Sequence, residues 1–344
     1  MGEVYPQKRT LPGNVVSPKA GMLWMVAWRN IFRNKRRTWL TVAAIIFSCF
    51  LVSGLRSYQV GMYKQLAEVM TEQYPGHADV IHVEYEDDQK LEQTIQDATE
   101  LMRSIEDIPL VRAAAARVIA PSLFSVDEKS FGGILIGADF AKETENFTFF
   151  NALSEGTVPV DQNDVVLGKA MARNLGVGLG EEIVVLGSQK EGGIAALVLS
   201  VSGIFSSGNV QYDRAFAFVR LSTAQQAFGL GDEVHALTLR LTDIDYVDEA
   251  TGFVSKRLPD EAIARGWPEI SPETYQAIRA DDVSGIAMMA LIMVLTLFSI
   301  ANTFSMMVFE RTREFGMLLS LGMRPSGIIR QVHLEAMGIW AIGA

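Results

Sequence analysis

The sequence has a single cysteine and few groups suited to catalysis. Cys49 is the only cysteine among 344 residues, so no disulfide can form within the chain. The four histidines, His77, His82, His235 and His333, are scattered, with no cysteine or carboxylate at metal-ligand spacing, which argues against a metal site. Nothing in the pattern singles out an acid–base pair among the many carboxylates. The sequence therefore predicts neither a metal site nor a catalytic residue, and we expect no enzyme activity from this chain.

A nucleotide-binding motif is missing as well. No G-x-x-x-x-G-K-[ST] segment occurs, so the chain lacks the backbone cradle and the lysine that hold nucleotide phosphates. Gly176, Gly178 and Gly180 resemble a dinucleotide fingerprint, but they precede a predicted strand instead of joining a strand to a helix. We interpret these glycines as a tight turn. If ATP drives this protein, a separate subunit holds the ATP and its magnesium ion, and the chain itself carries no cofactor.

Long uncharged runs are present instead, in a chain that is 49% hydrophobic. Residues 38–55 form a run of 18 residues without a charge, and residues 283–308 form one of 26. Each run is long enough to cross a hydrocarbon core about 30 Å thick. A third apolar stretch starts at Ala336 and meets the end of the chain at Ala344, after roughly half a membrane thickness. We expect two membrane spans, the start of a third within residues 328–344, and an incomplete chain.

The charges beside the spans predict their orientation. Residues 1–37 contain eight basic side chains and one acidic side chain, Glu3, whereas residues 57–282 contain 17 basic and 36 acidic ones. Lys and Arg near span ends resist translocation, so the N-terminus is expected in the cytoplasm and the middle of the chain outside it. The net charge of −10 combines a basic inner edge with an acidic outer domain, and it argues against nucleic acid as a partner.

The segment before the first span is amphipathic. Its apolar residues are Leu23, Met25, Val26, Trp28 and Phe32, and its polar residues are Arg29, Asn30, Arg33 and Asn34. Such a segment can lie in the headgroup plane of a membrane as an elbow helix. The alternative is that it simply continues the span.

Helical periodicity extends both spans beyond the membrane. An apolar stripe at three- and four-residue spacing follows the first span and consists of Leu55, Tyr58, Met62, Leu66 and Val69. Pro75 and Gly76 are expected to end this helix, and residues 271–273 carry the signals that begin the next one. No proline interrupts residues 273–308, which predicts a helix roughly 55 Å long. We expect a helical stalk, for which the alternative is two tilted spans with flexible ends. Together with this apolar stripe, Met288, Met289 and Ile292 on the return helix are the candidate residues for contact with cargo or with a second permease.

Alternating and apolar runs between the stalk helices predict an α+β domain. The expected strands are residues 78–83, 133–136, 164–167, 182–186, 195–201, 214–219 and 236–241. The expected helices are residues 91–105, 169–175, 223–228 and 247–258, and the hydrophilic patch 84–90 is expected to be a loop. The predicted fold class is therefore a membrane protein, an α-helical transmembrane bundle with a large α+β extracytoplasmic domain on a helical stalk.

A short cytoplasmic segment after the second span carries the richest local signal. Phe315, Leu318, Leu319 and Gly322 share one helical face, and Gly322 followed by Pro325 is a helix stop. A short helix with apolar residues beside ion-pairing side chains suits insertion into a groove on a partner protein. Packing of the same apolar residues on the membrane helices of the chain itself is an equally good interpretation.

The sequence resembles the FtsX-like permeases of ABC transporters, which include lipoprotein-releasing (Lol) and macrolide-exporter transporters and the cell-division permease. The resemblance is carried by residues 28–38, 302–303, 308, 310–318, 321–322 and 335. In the outer domain it is carried by residues 136–139, 153, 155–156, 166–168, 175–177, 203–205 and 212–213, which look most similar to the lipoprotein-releasing branch.

The resemblance implies a permease with four spans and a coupling helix that docks on a dimeric ABC-type ATPase. The coupling helix corresponds to residues 311–321, with the interface residues Arg311, Arg313, Glu314, Phe315, Gly316, Met317, Leu318, Leu321 and Gly322. A second permease, identical or paralogous, is implied as a further partner, together with membrane lipid. The implied mechanism is mechanotransmission, in which closing of the ATPases moves the outer domains through the stalk.

We therefore expect a multi-pass permease of the bacterial inner membrane that releases or exports lipoproteins or other amphipathic cargo. The alternative is a regulatory scaffold whose outer domain activates a periplasmic cell-wall hydrolase without moving cargo. The expected organisation is an arm and elbow at 1–37, spans at 38–55 and 283–308, the outer domain and stalk at 56–282, and the coupling region at 309–327.

Overall fold

The computed structural model describes residues 20–31, 33, 35–147 and 149–343. The predicted arm before residue 20, together with Phe32 and Asn34 of the predicted elbow, lies outside the described residues. The chain divides into two compact units, one made of Met1–Gly61 with Arg279–Ala344 and the other of Met62–Ile278. The first unit contains both long apolar runs, and the second contains the predicted α+β domain.

Helices and strands follow one another along the described residues with short connections. The helices are α1 (Ala20–Ile31), α2 (Lys35–Gln73), α3 (Tyr85–Asp88), α4 (Ala98–Glu106), α5 (Phe140–Asn146), α6 (Lys169–Leu175), α7 (Val210–Ala215), α8 (Leu221–Phe228), α9 (Val247–Ser255), α10 (Trp267–Ile270), α11 (Pro272–Glu310), α12 (Thr312–Ser320) and α13 (Pro325–Gly343). The strands are β1 (Ala78–His82), β2 (Val111–Val126), β3 (Lys129–Ala138), β4 (Leu153–Gly156), β5 (Asp164–Gly168), β6 (Glu182–Ser188), β7 (Ile194–Phe205), β8 (Phe216–Arg220), β9 (Ala236–Leu241) and β10 (Ala262–Gly266).

The two apolar runs lie in α2 and α11, which contain 39 residues each. A helix of that length is about 58 Å long, more than a membrane requires. Two segments, Thr38–Thr71 and Pro272–Glu310, are long and apolar enough to cross a membrane. The two boundary predictions are confirmed, because α2 ends before Pro75 and α11 begins at Pro272. The sequence was therefore sufficient to predict one continuous helix on each side of the outer domain.

Polar contacts join α2 to α11 inside the first unit. The hydroxyl oxygens of Ser48 and Thr296 lie 2.9 Å apart. Arg56 forms an ion pair with Asp282. These contacts leave apolar side chains to face outward along both helices, as is usual for spans that meet lipid or further helices.

Ten strands in the described residues form one mixed sheet. Its order is β10-β1-β9-β2-β3-β8-β5-β7-β4, and β6 pairs with both β2 and β7. All seven predicted strands are found in this sheet. Three strands were missed: β2, β4 and β10. The miss at β2 has a physical cause, since its run of four alanines favours a helix, and pairing of that run with β9 holds it extended.

Several local predictions were wrong at their boundaries, and four of them illustrate the differences. The helix expected at 91–105 is shortened to α4, because Ile95 pairs with Val234 as an isolated bridge. The loop expected at 84–90 contains α3, whose first residue, Tyr85, is buried. The strand expected from residue 214 begins at Phe216, because residues 210–215 form α7 behind an Asn209 cap. The helix expected at 247–258 ends at Ser255. The bridge at Ile95 and the cap at Asn209 account for two of these differences.

The core of the second unit has an aromatic cluster with a buried ion pair beside it. The cluster consists of Phe140, Phe149, Phe150, Phe205, Phe216 and Phe218, with Tyr74 packed against it. Arg117 of β2 donates to Glu143 of α5 at 2.6 and 2.8 Å, and their side chains are only 3% and 2% exposed. The Tyr74 ring lies 4.6 Å from the Arg117 guanidinium carbon, so the residue that follows α2 is packed into this core.

Candidate functional site

The α12 helix and its neighbours form the candidate site. Sequence reasoning expected a helix over residues 311–321, and α12 occupies Thr312–Ser320, one residue less at each end. Glu314 lies in its first turn, where a negative charge is favourable. Gly322 has a φ of 92°, a left-handed conformation that ends the helix before α13 starts at Pro325.

A cluster of charged and polar side chains ties α12 to α13 and to Arg33, which follows α1. This charge cluster consists of Asn30, Arg33, Arg311, Glu314, Gln331 and Glu335. Arg311 donates through Nε to Glu314 at 3.0 Å and through Nη1 to both oxygens of Glu335 at 2.8 and 3.1 Å. Arg33 donates to Glu314 at 2.6 Å, and Asn30 donates to Glu335 at 2.7 Å. The turn between α11 and α12 is thereby tied to both neighbouring helices.

The charges in this cluster are matched, two arginines to two glutamates. Hydrogen bonds from Arg33, and then from Arg311, hold the pKa of Glu314 below its usual range. Glu335 is almost fully buried and accepts from Arg311, Asn30 and Gln331. A buried carboxylate requires such hydrogen-bond donors. Because each carboxylate is bonded to side chains from other parts of the chain, the cluster is suited to holding the helices together.

The structure separates the predicted interface residues into two groups. Arg311, Glu314, Phe315 and Leu318 are partly buried, and the Phe315 ring lies 5.3 Å from the Arg311 guanidinium carbon. The exposed group is Arg313, Gly316, Met317, Leu321 and Gly322. Within it, Met317 is 62% exposed and Leu321 is 84% exposed. One face of α12 therefore packs on the chain itself, and the other presents apolar side chains. Docking of that exposed face on a partner protein stays a prediction.

The predicted stalk residues lie mostly on outward faces. Leu55, Tyr58, Met62, Leu66 and Val69 of α2 are exposed, as is Met288 of α11. Met289 and Ile292 are half-buried and share a helical face with Thr296, which contacts Ser48 of α2. The apolar stripe of α2 is therefore available for lipid or another molecule, whereas Met289 and Ile292 lie on the side of α11 that faces α2.

Sequence reasoning did not assign a site role to Asn30, Arg33, Gln331 or Glu335. The available signal was Glu335, an acidic residue directly before the uncharged apolar run 336–343 of α13. An ionisable group in such a helix requires a polar partner. Arg311 is 24 residues away in sequence and Asn30 is 305, so local pattern alone does not identify the partners.

Within the described residues, no group of three or more His, Cys, Asp or Glu side chains is placed to hold a metal ion. The glycines at 176, 178 and 180 lie in the connection before β6, and Gly176 and Gly180 have positive φ values of 81° and 78°. The tight-turn interpretation of this segment is confirmed.

Comparison with known families matches most of the chain. A family model described as the MacB-like periplasmic core domain matches residues 38–254. A second model, the FtsX-like permease C-terminal region, matches residues 286–344 and so includes α12 and α13.

Two curated relatives carry the name lipoprotein-releasing system transmembrane protein LolC. The one from Xylella fastidiosa (strain Temecula1) is 24% identical over 244 residues, which cover 68% of this chain and 58% of the relative. The one from Neisseria meningitidis serogroup B is 22% identical over 173 residues, covering 48% and 42%. The chain spans about half the length of the curated relatives it matches.

Two solved structures resemble part of the chain more distantly. The periplasmic region of MacB from Actinobacillus actinomycetemcomitans matches with a TM-score of 0.40 and 14% identity, covering 59% of this chain and 92% of that one. The extracellular domain of the transporter YknZ from Gram-positive bacteria matches with a TM-score of 0.38 and 11% identity, covering 55% and 98%.

Proposed function

Because the chain belongs to the FtsX-like ABC transporter permeases that carry a MacB-like periplasmic core domain, we propose that it couples ATP hydrolysis on a separate ATPase subunit to movement of that domain. The ATP and its magnesium ion are held by the ATPase dimer. A second permease, identical or paralogous, completes the complex in the inner membrane. The cargo is a lipoprotein or another amphipathic molecule, released or exported from the outer side.

The exposed face of α12 is the observation that carries this proposal. An apolar side chain as exposed as Leu321, at the end of a helix held on its other face by ion pairs, has the properties of a docking element. The charge cluster supports the same role, because a helix that transmits force needs firm attachment to the rest of the chain. Bonded to Arg33 and, through Arg311, to α13, α12 passes a displacement to both.

The continuity of α2 and α11 supports transmission of movement. Each is one uninterrupted helix that contains an apolar run and continues into the second unit. A continuous helix transmits axial displacement better than a flexible linker of the same length does. This arrangement suits a permease that performs mechanical work outside the membrane.

The apolar stripe of α2 and the names of the relatives support the cargo assignment. Exposed apolar surface next to a membrane suits binding of acyl chains or other amphipathic groups. The two LolC relatives are named for lipoprotein release. Lipoproteins are therefore the first cargo class to test.

The proposal is tested by purifying the full-length permease in detergent and identifying what accompanies it by mass spectrometry. Met317→Asp combined with Leu321→Asp charges the exposed face of α12 and leaves the charge cluster intact. Val210→Asp, at an exposed position in the second unit, is the matched control. We expect a P-loop ATPase to accompany the wild type and the control but not the double variant.

Two results of this experiment would contradict the proposal. If no ATPase accompanies the wild type, coupling to ATP hydrolysis is wrong. If the ATPase is present and a cell-wall hydrolase is recovered in place of lipoproteins, the chain is a regulatory scaffold and not a transporter.

A further inference from the structure

Both long helices enter the second unit at one place in the sheet. Only residues 74–77 separate α2 from β1, and only residues 267–271 separate β10 from α11. β1 and β10 are antiparallel neighbours, and Ala78 pairs directly with Gly266. The end of α2 and the start of α11 are therefore attached to the same end of one strand pair.

The connecting segments are also bonded to each other and to the next strand. Trp267 donates its backbone N–H to the carbonyl of His77 at 3.0 Å, and His77 donates its own to Leu239 of β9. Gly76 has a φ of 102°, and a Cβ there would lie 2.4 Å from the Thr238 side chain. The connection from α2 to β1 therefore has no room for a side chain at Gly76.

A buried ion pair joins the two strands one residue further along. Asp79 and Arg265 are directly opposed in the register. Arg265 donates through Nε and Nη2 to the two oxygens of Asp79 at 3.1 and 2.7 Å, and the Asp79 side chain is 8% exposed. Bidentate arginine–carboxylate pairs combine strength with a fixed geometry. The pair therefore fixes both the spacing and the register of β1 and β10.

This pair has a special position in the path from α11 to the sheet. In the described residues, β10 is an edge strand whose ladder partner is β1. β1 pairs on its other side with β9, and β9 pairs with β2 in the middle of the sheet. A displacement of α11 reaches the rest of the sheet by way of β10 and β1, whereas α2 acts on β1 directly.

We propose that β1 and β10, clamped by Asp79 and Arg265, form the joint through which both long helices drive the outer domain as a single lever. This inference rests on the proposed function, because it concerns how ATP-driven movement reaches the periplasmic domain. Asp79 and Arg265 are positioning residues: they touch neither cargo nor nucleotide, and they keep the two helices acting together. Without the clamp, β10 slides or separates from β1, and the displacement of α11 is lost before it reaches the sheet.

The test uses the full-length permease with its ATPase in lipid nanodiscs. Cys49→Ser removes the native thiol, and spin labels at Gly54→Cys and Gly178→Cys mark α2 and an outer-domain loop where added side chains meet nothing within 4 Å. Pulsed electron spin resonance measures the distance between the labels with and without ATP, and phosphate release measures ATPase activity.

We expect Asp79→Asn to remove most of the ATP-dependent change in label distance, because the displacement of α11 then reaches the sheet through an unclamped strand pair. The ATPase rate should stay within about twofold of the wild type, since the pair is remote in sequence from α12 and is predicted to act only on coupling. Glu106→Gln is the matched control, because it removes the ion pair of Glu106 with Lys142 elsewhere in the same unit. In this control, the ATP-dependent change in label distance should equal that of the wild type.

A second variant separates loss of the joint from loss of the fold. Val80 and Ala264 are opposed in the β1–β10 register, so cysteines at both positions are close enough for a disulfide. This pair is added to the Asp79→Asn variant without spin labels, and movement is followed by proteolysis of the outer domain with and without ATP. Oxidation should restore the ATP-dependent cleavage pattern, and reduction should abolish it again.

The outcomes distinguish this inference from the proposed function. If the wild type shows no ATP-dependent movement, the proposed function is wrong. If the ATP-dependent change in label distance is equal in the wild type and in Asp79→Asn, the proposed role of the β1–β10 joint is wrong and the proposed function stands. Failure of the disulfide to restore movement also overturns the joint, because a covalent clamp replaces what the ion pair is proposed to do.

Discussion

A single guanidinium nitrogen of Arg311, Nη1, donates to both carboxylate oxygens of Glu335 at 2.8 and 3.1 Å. Arg311 precedes α12, and Glu335 lies in the middle of α13. The same arginine bonds Glu314 through Nε at 3.0 Å. One side chain thus holds the first turn of α12 and the middle of α13 in a fixed arrangement. The orientation of the exposed face of α12 depends on this arginine.

Removing the Arg311 side chain should loosen α12. Losing a hydrogen bond to a charged group costs about 1.5–3 kcal/mol, so Arg311→Met should speed amide exchange in Thr312–Ser320 by about tenfold or more. Hydrogen–deuterium exchange with mass spectrometry of the purified protein measures this change. Arg313→Met, two residues away and exposed, is the control and should leave exchange unchanged. Equal exchange in the two variants would contradict the anchoring role of Arg311.

The buried pair of Arg117 and Glu143 should behave differently when one or both partners are replaced. Arg117→Met leaves a carboxylate buried without its cation, which typically costs about 3–5 kcal/mol of folding stability. Combining it with Glu143→Leu removes the stranded charge, so the double variant should regain most of the loss. Thermal unfolding of the second unit compares the variants. A double variant that is less stable than Arg117→Met alone would refute this account.

His235 should make the second unit less stable in acid. Burial lowers the pKa of His235 to about 4 from an ordinary value of 6.5. Both ring nitrogens of the neutral side chain have partners. Nδ1 accepts from the Ile119 N–H at 3.1 Å, and Nε2 lies 3.2 Å from the Leu91 carbonyl. Between pH 6.5 and 4 the unfolded chain binds this proton and the folded chain does not. Stability is therefore complete above about pH 6.5 and falls as the pH is lowered, by about 3 kcal/mol at pH 4.

This pH dependence is measured by thermal unfolding between pH 7.5 and 4.5. Trp267 reports on the second unit when the other four tryptophans are replaced by phenylalanine. His235→Gln keeps a donor and an acceptor at the site but has no titrating ring, so its stability should vary less with pH in this window. An unchanged pH dependence in His235→Gln would assign the effect to other groups.

Substitution by alanine should affect folding stability strongly at one glycine of the second unit and weakly at another. A Cβ on Gly168 would lie 2.2 Å from the carbonyl oxygen of Asp213, and backbone atoms cannot move aside as a flexible side chain can. Gly168→Ala should therefore cost about 1–3 kcal/mol or more. Gly178→Ala, where nothing lies within 4 Å, should change stability by less than about 1 kcal/mol. Denaturant unfolding of both variants measures the difference, and similar losses would contradict the close packing at Gly168.

Much of the helical framework could be predicted because its causes are local. The uncharged runs, the proline–glycine stop after Gln73 and the start signal at residues 271–273 act within a few residues of the boundaries they determine. A short helix ending near Gly322 was predicted for the same reason, whereas the bounds 311–321 came from the family resemblance and exceed α12 by one residue at each end. Strands with β-branched residues were found, whereas the alanine-rich β2 was not, because its extended form depends on pairing with β3 and β9.

The sequence by itself determined the two long helices, the α12 helix and its stop, the α+β character of the outer domain and the resemblance to a family. Periodicity, capping and hydrophobic runs all act over short stretches of chain, so these features are readable from the residues. Only the tertiary structure decided which face of α12 is free, which partners Glu335 has, and that Asp79 meets Arg265, 186 residues away. Contacts of that range depend on the order and register of the strands and helices, which form when many weak interactions along the chain are satisfied together.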